Sequence, residues 1–484
     1  MASLNIVLVA SEAAPLAKTG GLADVTGSLP HALMRPGHKV TVMMPYYRQQ
    51  ADVSGVDIHP LGQTISILID GRQRHAPLHE AMVDGLRFIL VEQDDLYDRP
   101  ALYGPPGGAY PDNLLRYIFF IRVALEAACL LERPVDIFHC HDWQTGFLPL
   151  LLHEQYQHQP RIAHARCVFT IHNMAYQGIF PSRWLHRLGL PAAFFHPGGF
   201  EFYGRINCMK AGILAADHIT TVSQTYAREI LTPEYGCRLD RFLAEHAHKL
   251  SGIINGLDAG HWNPATDTTI ADNYWAGKVQ GKHHCKLALQ EELGFVQDTG
   301  IPLLTLISRL AEQKGVDLLI DGIPYWLQAG SQIAVLGSGE PAYEAVLRRL
   351  AKAAPGQMHF YSGFNEPLAR HIYAGGDIFL MPSRFEPCGL GQLMAMRYGN
   401  IPVVRATGGL KDTVLDYTNS KSVATGFTFE QARPAAFRAA VNQAVETWRK
   451  PLVWRRIMGH AMRRDSSWDA SAGLYGRLYA SLTH

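Results

Sequence analysis

The sequence predicts an α/β protein built from two open, doubly wound domains. Short continuous runs rich in Val, Ile and Phe recur along the chain. Continuity rather than alternation is the pattern of parallel strands covered on both faces. Stretches such as Asp112–Leu131 and Pro341–Ala354 separate them and are long enough for crossover helices. At 484 residues, 47% of them hydrophobic, the chain can fill more than one core.

In the first half, strands are expected near Asn5–Ala10, Lys39–Met44, Ile65–Ile69, Arg87–Val91, Ile137–Cys140, Cys167–Ile171 and His218–Val222. In the second half they are expected near Leu303–Ile307, Gln332–Leu336, Met358–Tyr361, Asp377–Met381 and Pro402–Arg405. The domain boundary falls near Gly252–Asp258, where Asn255-Gly256 signals a turn, and Ala259 to Lys282 reads as loop. From Ser467 to Ala480, Trp468, Tyr475, Leu478 and Tyr479 recur at helical spacing and predict a docked terminal helix. The expected domains are therefore 1–252 and 253–466, with 467–484 as that helix.

Composition excludes several function classes. A net charge of +1 offers no basic stripe for nucleic acid. The 23 histidines lack metal-site spacing and no Cys-x-x-Cys occurs, so no metal is expected. Seven widely spaced cysteines, an odd number, suit reduced thiols in the cytoplasm. The opening Ser3–Ala10 run has no basic region before it and reads as a first strand, not a signal peptide. The longest apolar helix candidate, around Tyr117 to Leu131, is broken by Arg122 and Glu126, so no membrane span is expected.

Chemistry is expected at strand ends, where α/β proteins bind ligands. After Ile378–Pro382 comes Ser383-Arg384-Phe385-Glu386-Pro387-Cys388-Gly389-Leu390-Gly391-Gln392. Its carboxylate could hold sugar hydroxyls and its free N–H groups phosphate oxygens, although a turn with a surface Glu reads the same way. After the first strand, Lys18-Thr19-Gly20-Gly21 offers a cation and close-approach backbone before a helix, without the dinucleotide or phosphate-loop fingerprint. After Leu303–Ile307, Arg309 and Lys314 lie five apart across a turn, a spacing that suits a diphosphate, although in isolation a salt-bridged surface turn is the favoured reading. Thr407-Gly408-Gly409 adds close-approach backbone after Pro402–Arg405. His141-Asp142-Trp143 places a carboxylate beside an aromatic plate suited to carbohydrate, with His141 itself better read as an internal hydrogen-bonding residue, and His172–Gly178 follows the next strand. No Gly-x-Ser-x-Gly elbow accompanies these groups, so no hydrolase triad assembles.

Seven blocks in order resemble the bacterial glycogen synthase and plant starch synthase family. They are Lys18–Asp24, His141–Trp143, His172–Gly178, Asn255–Asp258, Ser308–Gly315, Ser383–Leu390 and Thr407–Leu410. The resemblance implies two Rossmann-like domains of the GT-B type facing each other across a deep cleft. It also implies transfer of glucose from ADP-glucose to the non-reducing end of an α-1,4-glucan such as glycogen, with retained configuration. By motif, Lys18, Gly20 and Gly21 face the donor phosphates from the first domain, and Arg309 and Lys314 hold them from the second. Glu386 binds the transferred glucose, within the loop formed by Cys388, Gly389 and Leu390. Asp142 also contacts that glucose, as does His172 through its carbonyl and ring. Gly391, Thr407 and Gly408 complete the nucleotide site, and Phe364 packs on the adenine.

Two departures from the family pattern stand out. Gly391 replaces a common Thr, removing one hydroxyl donor, and Phe364 replaces a common Tyr. A second Glu, found eight positions on in related transferases, is Met394 here, which leaves the carboxylate role to Glu386 alone. No cofactor beyond the donor substrate is implied. The rival readings are a retaining transferase with another nucleotide donor, an NAD oxidoreductase on twin α/β domains, and a non-catalytic glucan-binding protein.

Overall fold

The computed structural model describes residues 3–105 and 107–483. The chain forms two compact units, Met1–Gly256 with Trp468–His484, and Leu257–Ser467.

The first unit contains β1 (Asn5–Val9), β2 (Lys39–Pro45), β3 (Ile58–Ile69), β4 (Arg72–Val83), β5 (Leu86–Val91) and β6 (Ile137–His141). It continues with β7 (Arg166–Ile171), β8 (Ile179–Pro181), β9 (Glu201–Phe202), β10 (Arg205–Asn207), β11 (His218–Thr221) and β12 (Leu250–Gly252). Nine of these form one sheet in the order β12-β11-β7-β6-β1-β2-β5-β4-β3, and β8-β10-β9 form a small separate one. Pairing is parallel from β12 to β5. The chain moves from β1 toward β2 and then returns to add β6 on the other side of β1. Such a reversal, beyond the carboxyl ends of β1 and β6, is where open α/β sheets bind ligands.

The far edge corrects the sequence reading. β4 was not foreseen, β3 starts well before Ile65, and β3-β4-β5 pair antiparallel rather than parallel. Two tight turns cause this, Asp70-Gly71 (φ +51° and +69°) and Asp84-Gly85 (φ +47° and +81°). Positive φ at both central residues matches the right-handed twist of a hairpin, and Asp-Gly accommodates it. Arg187 grips the first turn, donating to both Asp70 carboxylate oxygens at 2.6 and 2.8 Å.

Every residue of β1 and β6 is buried. Over β1, β2 and β5 packs the Asn113–Cys129 helix, in which even Arg116 is fully buried. Its guanidinium donates to the carbonyls of Leu96 and Leu102 and to Asn113 Oδ1, so the charge lies in a cage of acceptors. No described helix is long and apolar enough to cross a membrane. The terminal helix runs Trp468–Thr483 and buries Trp468, Tyr475 and Tyr479 in the first unit's core. Tyr479 shares a 2.8 Å hydrogen bond between its hydroxyl and Nδ1 of the buried His139 on β6.

The second unit is one parallel sheet of β13 (Leu303–Ile307), β14 (Gln332–Gly337), β15 (Met358–Ser362), β16 (Ile378–Met381), β17 (Ile401–Arg405) and β18 (Phe427–Phe429). Its order is β15-β14-β13-β16-β17-β18, so the winding reverses between β13 and β16. β18 was not among the expected strands. The stretch expected to be loop as far as Lys282 turns helical at Gln280, opening the Gln280–Glu292 helix. Two lysines explain its anchorage. Lys286 pairs with Asp377 at 2.6 Å, and Lys282 donates to the carbonyls of Ala374, Gly376 and Tyr398. Burial pulls the Lys282 ammonium down to about 8.

Tyr479→Phe is expected to lower stability by about 1–2 kcal/mol, because buried His139 loses a partner without a change of shape. Urea unfolding checks this, and an unchanged midpoint would show that the terminal helix is held by apolar packing alone.

Candidate active site

In the first unit, the loop after β1 folds around Glu12, which is 3% exposed. Its Oε2 accepts from Thr19 N at 2.6 Å and Thr19 Oγ1 at 2.8 Å, tying down the Lys18–Gly21 segment. Burial raises the Glu12 carboxyl above its usual range, and the Thr19 hydrogen bonds oppose that. Lys18 is half-exposed and pairs with Asp24 at 2.6 Å. Gly20 and Gly21 are exposed, and a Cβ on either would meet nothing within 4 Å. Packing within the protein therefore does not call for glycine there, and the open backbone remains available to an approaching group.

Beyond β6, Asp142 has φ +57° and ψ −177°, a conformation non-glycine residues rarely hold and one that concentrates at functional sites. Asp142 N donates to Thr170 O at 2.9 Å, and its Oδ1 accepts from His172 N at 2.8 Å. Burial pushes the Asp142 carboxyl up to about 7, against the lowering effect of hydrogen bonds from the His172 and Asn173 backbone. His172 Nε2 lies 3.0 Å from His141 Nδ1. Burial pulls His172 down to about 3 and His141 well below its usual range, so both rings are neutral at physiological pH. Asp142 and His172 are thus brought together as one unit. The Trp143 plate is half-buried and packs on Tyr117 and Phe180, at 5.2 and 5.5 Å between ring centroids. Much of the surface expected to face a sugar is therefore taken up by packing.

In the second unit, the loops after β13 and β16 meet. Lys314 Nζ lies 2.6 Å from Glu386 Oε2, with side chains only 16% and 9% exposed. Ser383 Oγ donates to the same oxygen at 3.0 Å. Two close approaches hold the arrangement. Gly315 (φ +67°) would place a Cβ 2.1 Å from Pro382 O, and Gly408 (φ +44°) would place one 2.0 Å from Glu386 O. Gly409 N donates to the carbonyls of Glu386 and Pro387, so the backbone around Thr407 and Gly408 fixes the Glu386 segment.

Cys388 is buried, and Gln392 Nε2 donates to the carbonyls of Cys388 and Gly389, shaping the loop that leads through Leu390. Gly391 opens the Gly391–Arg397 helix, and a Cβ there would lie 3.3 Å from the Phe379 ring. A Thr at this position would need that ring to shift slightly. Arg309 is exposed, and among the described residues its guanidinium joins no ion pair. Phe364 is 86% exposed beside Asn365, whose side chain caps the Glu366–Gly375 helix. Among the described residues no cluster of three or more His, Cys, Asp or Glu could hold a metal.

Sequence reasoning gave no role to Glu12, Ser383 or Gln392. Glu12 carried a signal, an acid at the end of an apolar strand before two glycines. Ser383 and Gln392 look like ordinary loop residues until their hydrogen bonds are seen.

Residues 5–245 match the family model described as starch synthase catalytic domain, and 295–457 the one described as glycosyl transferases group 1. Glycogen synthase 2 of Geobacter sulfurreducens is 45% identical over 476 residues, 98% of each chain. Glycogen synthase of Moorella thermoacetica is 45% identical over 481 residues, 98% of this chain and 96% of that one. Among solved structures, the catalytic domain of starch synthase IV from Arabidopsis thaliana, bound to ADP and acarbose, matches with a TM-score of 0.92. It shares 35% identity over 100% of both chains. Sucrose-phosphate synthase from Thermosynechococcus elongatus matches at a TM-score of 0.61 and 17% identity, a likeness of fold alone.

The raised Asp142 carboxyl makes stability depend on pH. The folded chain keeps this proton up to about 7, whereas the unfolded chain releases it near 3.8. Its stabilising contribution is therefore full below the lower value and lost as pH rises through the upper one. Asp142→Asn, which can still accept from His172 N, should remove that loss, amounting to roughly 2–4 kcal/mol between the two limits. Unfolding midpoints at pH 5 and pH 8 measure it. Equal pH dependence in both proteins would contradict the buried, protonated carboxyl.

Proposed function

This chain belongs to the glycogen synthase and starch synthase family, and from that premise we propose which of its groups carry out the reaction. The reaction is transfer of glucose from ADP-glucose to the non-reducing end of an α-1,4-glucan, with retention of anomeric configuration. The observation that carries the assignment is the buried Lys314–Glu386 pair at the β13/β16 reversal, with exposed Arg309 on the same loop as Lys314. A carboxylate can accept from sugar hydroxyls while the adjacent ammonium meets a diphosphate. One pair can therefore address both ends of the bond to be broken.

Glu386 is assigned to the hydroxyls of the transferred glucose. Lys314 and Arg309 neutralise the charge that develops as ADP leaves, through preorganised contacts that need little rearrangement. The backbone from Cys388 to Gly391 and at Thr407 and Gly408 lines the nucleotide site, and the exposed Phe364 ring packs on the adenine. From the first unit, Lys18 and the open backbone of Gly20 and Gly21 are assigned to the donor phosphates. Asp142 and His172 are assigned to the reacting sugar. The released phosphate oxygen accepts the proton of the acceptor hydroxyl, on the same face of an oxocarbenium-like sugar that the His172 carbonyl shields. No other cofactor enters this scheme. The glucan acceptor is supported by the acarbose in the structure of the starch synthase IV relative. A cytoplasmic setting is supported by the odd number and wide spacing of the seven cysteines.

Release of ADP from ADP-glucose in the presence of glycogen, compared with release of UDP from UDP-glucose, tests this reading. Glucan elongation with faster turnover of ADP-glucose is expected. Glycogen binding without nucleotide release would turn the reading into that of a glucan-binding protein.

Lys314→Met should lower kcat by about 100-fold. It should also cost about 3–5 kcal/mol of stability, because Glu386 keeps a buried charge without its cation. Adding Glu386→Gln should recover much of the stability and none of the activity. Parallel kinetics and thermal melts of the single and double variants separate the two effects. Recovery of activity along with stability would mean that the pair serves only the fold.

A further inference from the structure

His141 ends β6, is fully buried, and places Nδ1 3.0 Å from Nε2 of His172. Its own Nε2 is buried and has no hydrogen-bond partner among the described residues. The His139 ring lies against it, 4.2 Å between centroids, and is itself held by Tyr479 at Nδ1 and Thr170 at Nε2. His172 is only partly buried, and its Nδ1 makes no hydrogen bond within the described protein.

Burial holds both rings neutral, so each carries one N–H and one lone pair. A 3.0 Å contact between ring nitrogens uses one of each, which leaves two arrangements. If His172 donated through Nε2, the His141 proton would sit on Nε2, a buried N–H with no acceptor. If His141 donates through Nδ1, its Nε2 is only an unused lone pair. Orphaned buried N–H groups are the rarer and costlier defect.

We propose that His141 is a positioning residue that donates Nδ1–H to His172 Nε2 and thereby presents His172 to the sugar as an Nδ1–H donor. Its consequence for catalysis rests on the assignment of His172 to the reacting sugar. The tautomer itself rests on the geometry and burial of the two rings within the first unit. The backbone of His172 is fixed separately by Asp142, so His141 governs the ring.

Nitrogen-15 histidine spectra of the full chain report which ring nitrogen is protonated, and the signals missing in His172→Gln assign His172. The expected result is a His172 proton on Nδ1. His141→Asn keeps an N–H donor at the right reach, and should retain that tautomer and kcat within about 3-fold. His141→Phe keeps a ring without a donor. It should mix the His172 tautomers and lower kcat about 10-fold or more, with KM for ADP-glucose changed less. A wild-type proton on Nε2, or full kcat in folded His141→Phe, would overturn the proposal. If His141→Phe does not fold, the wild-type and His141→Asn spectra still decide it. Full activity in folded His172→Phe would instead remove the functional assignment of His172, leaving the spectra to settle the tautomer.

Discussion

Two opposite charges held away from water at the ends of β13 and β16, Lys314 and Glu386, set the terms for the second unit. Each charge alone would be costly to bury, and their attraction compensates only when the geometry is tight and the remaining valences are filled. Ser383 supplies a second hydrogen bond to Glu386 Oε2. Pro382 and Glu386 carbonyls press against Gly315 and Gly408, where no larger residue fits. The parallel winding that reverses between these strands brings two loops far apart in sequence to one place. Fold and site are here the same problem, because the loops that carry the charges also need the glycines that admit them.

The first unit reaches a prepared site by different means. Its histidines at the ends of β6 and β7 are neutralised rather than paired. The His172 and His141 imidazoles are kept uncharged by burial, and the Asp142 carboxyl retains its proton up to about 7. The backbone strain at Asp142 is held by hydrogen bonds on both sides of the residue, to Thr170 O and from His172 N. The two neutral imidazoles act as oriented dipoles rather than as acids or bases. That suits a transfer in which the leaving diphosphate carries the charge.

Much of this was legible in the sequence. The parallel strands announced themselves as unbroken apolar runs, and the residues that follow them carried the family motifs. The antiparallel edge was missed because β4 carries Arg72, Gln73, Arg74, His75 and His79 and so forms no apolar run, and the first half of β3 is largely exposed. The Asp70-Gly71 and Asp84-Gly85 turns were the available signal, and they went unweighed. Trp143, an aromatic next to a motif carboxylate, also packs on Tyr117 and Phe180, a role that its motif did not announce. Glu12, Ser383 and Gln392 hold loops through hydrogen bonds to groups whose position only the folded chain defines. Pattern reading finds side chains that recur with a period. It does not find those that act by being buried against one particular backbone.

The central claim is that the Lys314–Glu386 pair faces both the leaving diphosphate and the glucose of the donor. A structure of this chain with ADP and a non-transferable glucose analogue tests it most directly. Lys314 Nζ and the Arg309 guanidinium are expected within hydrogen-bonding distance of phosphate oxygens, with Glu386 accepting from glucose hydroxyls. A diphosphate seated away from Lys314, with Glu386 touching no sugar, would contradict it.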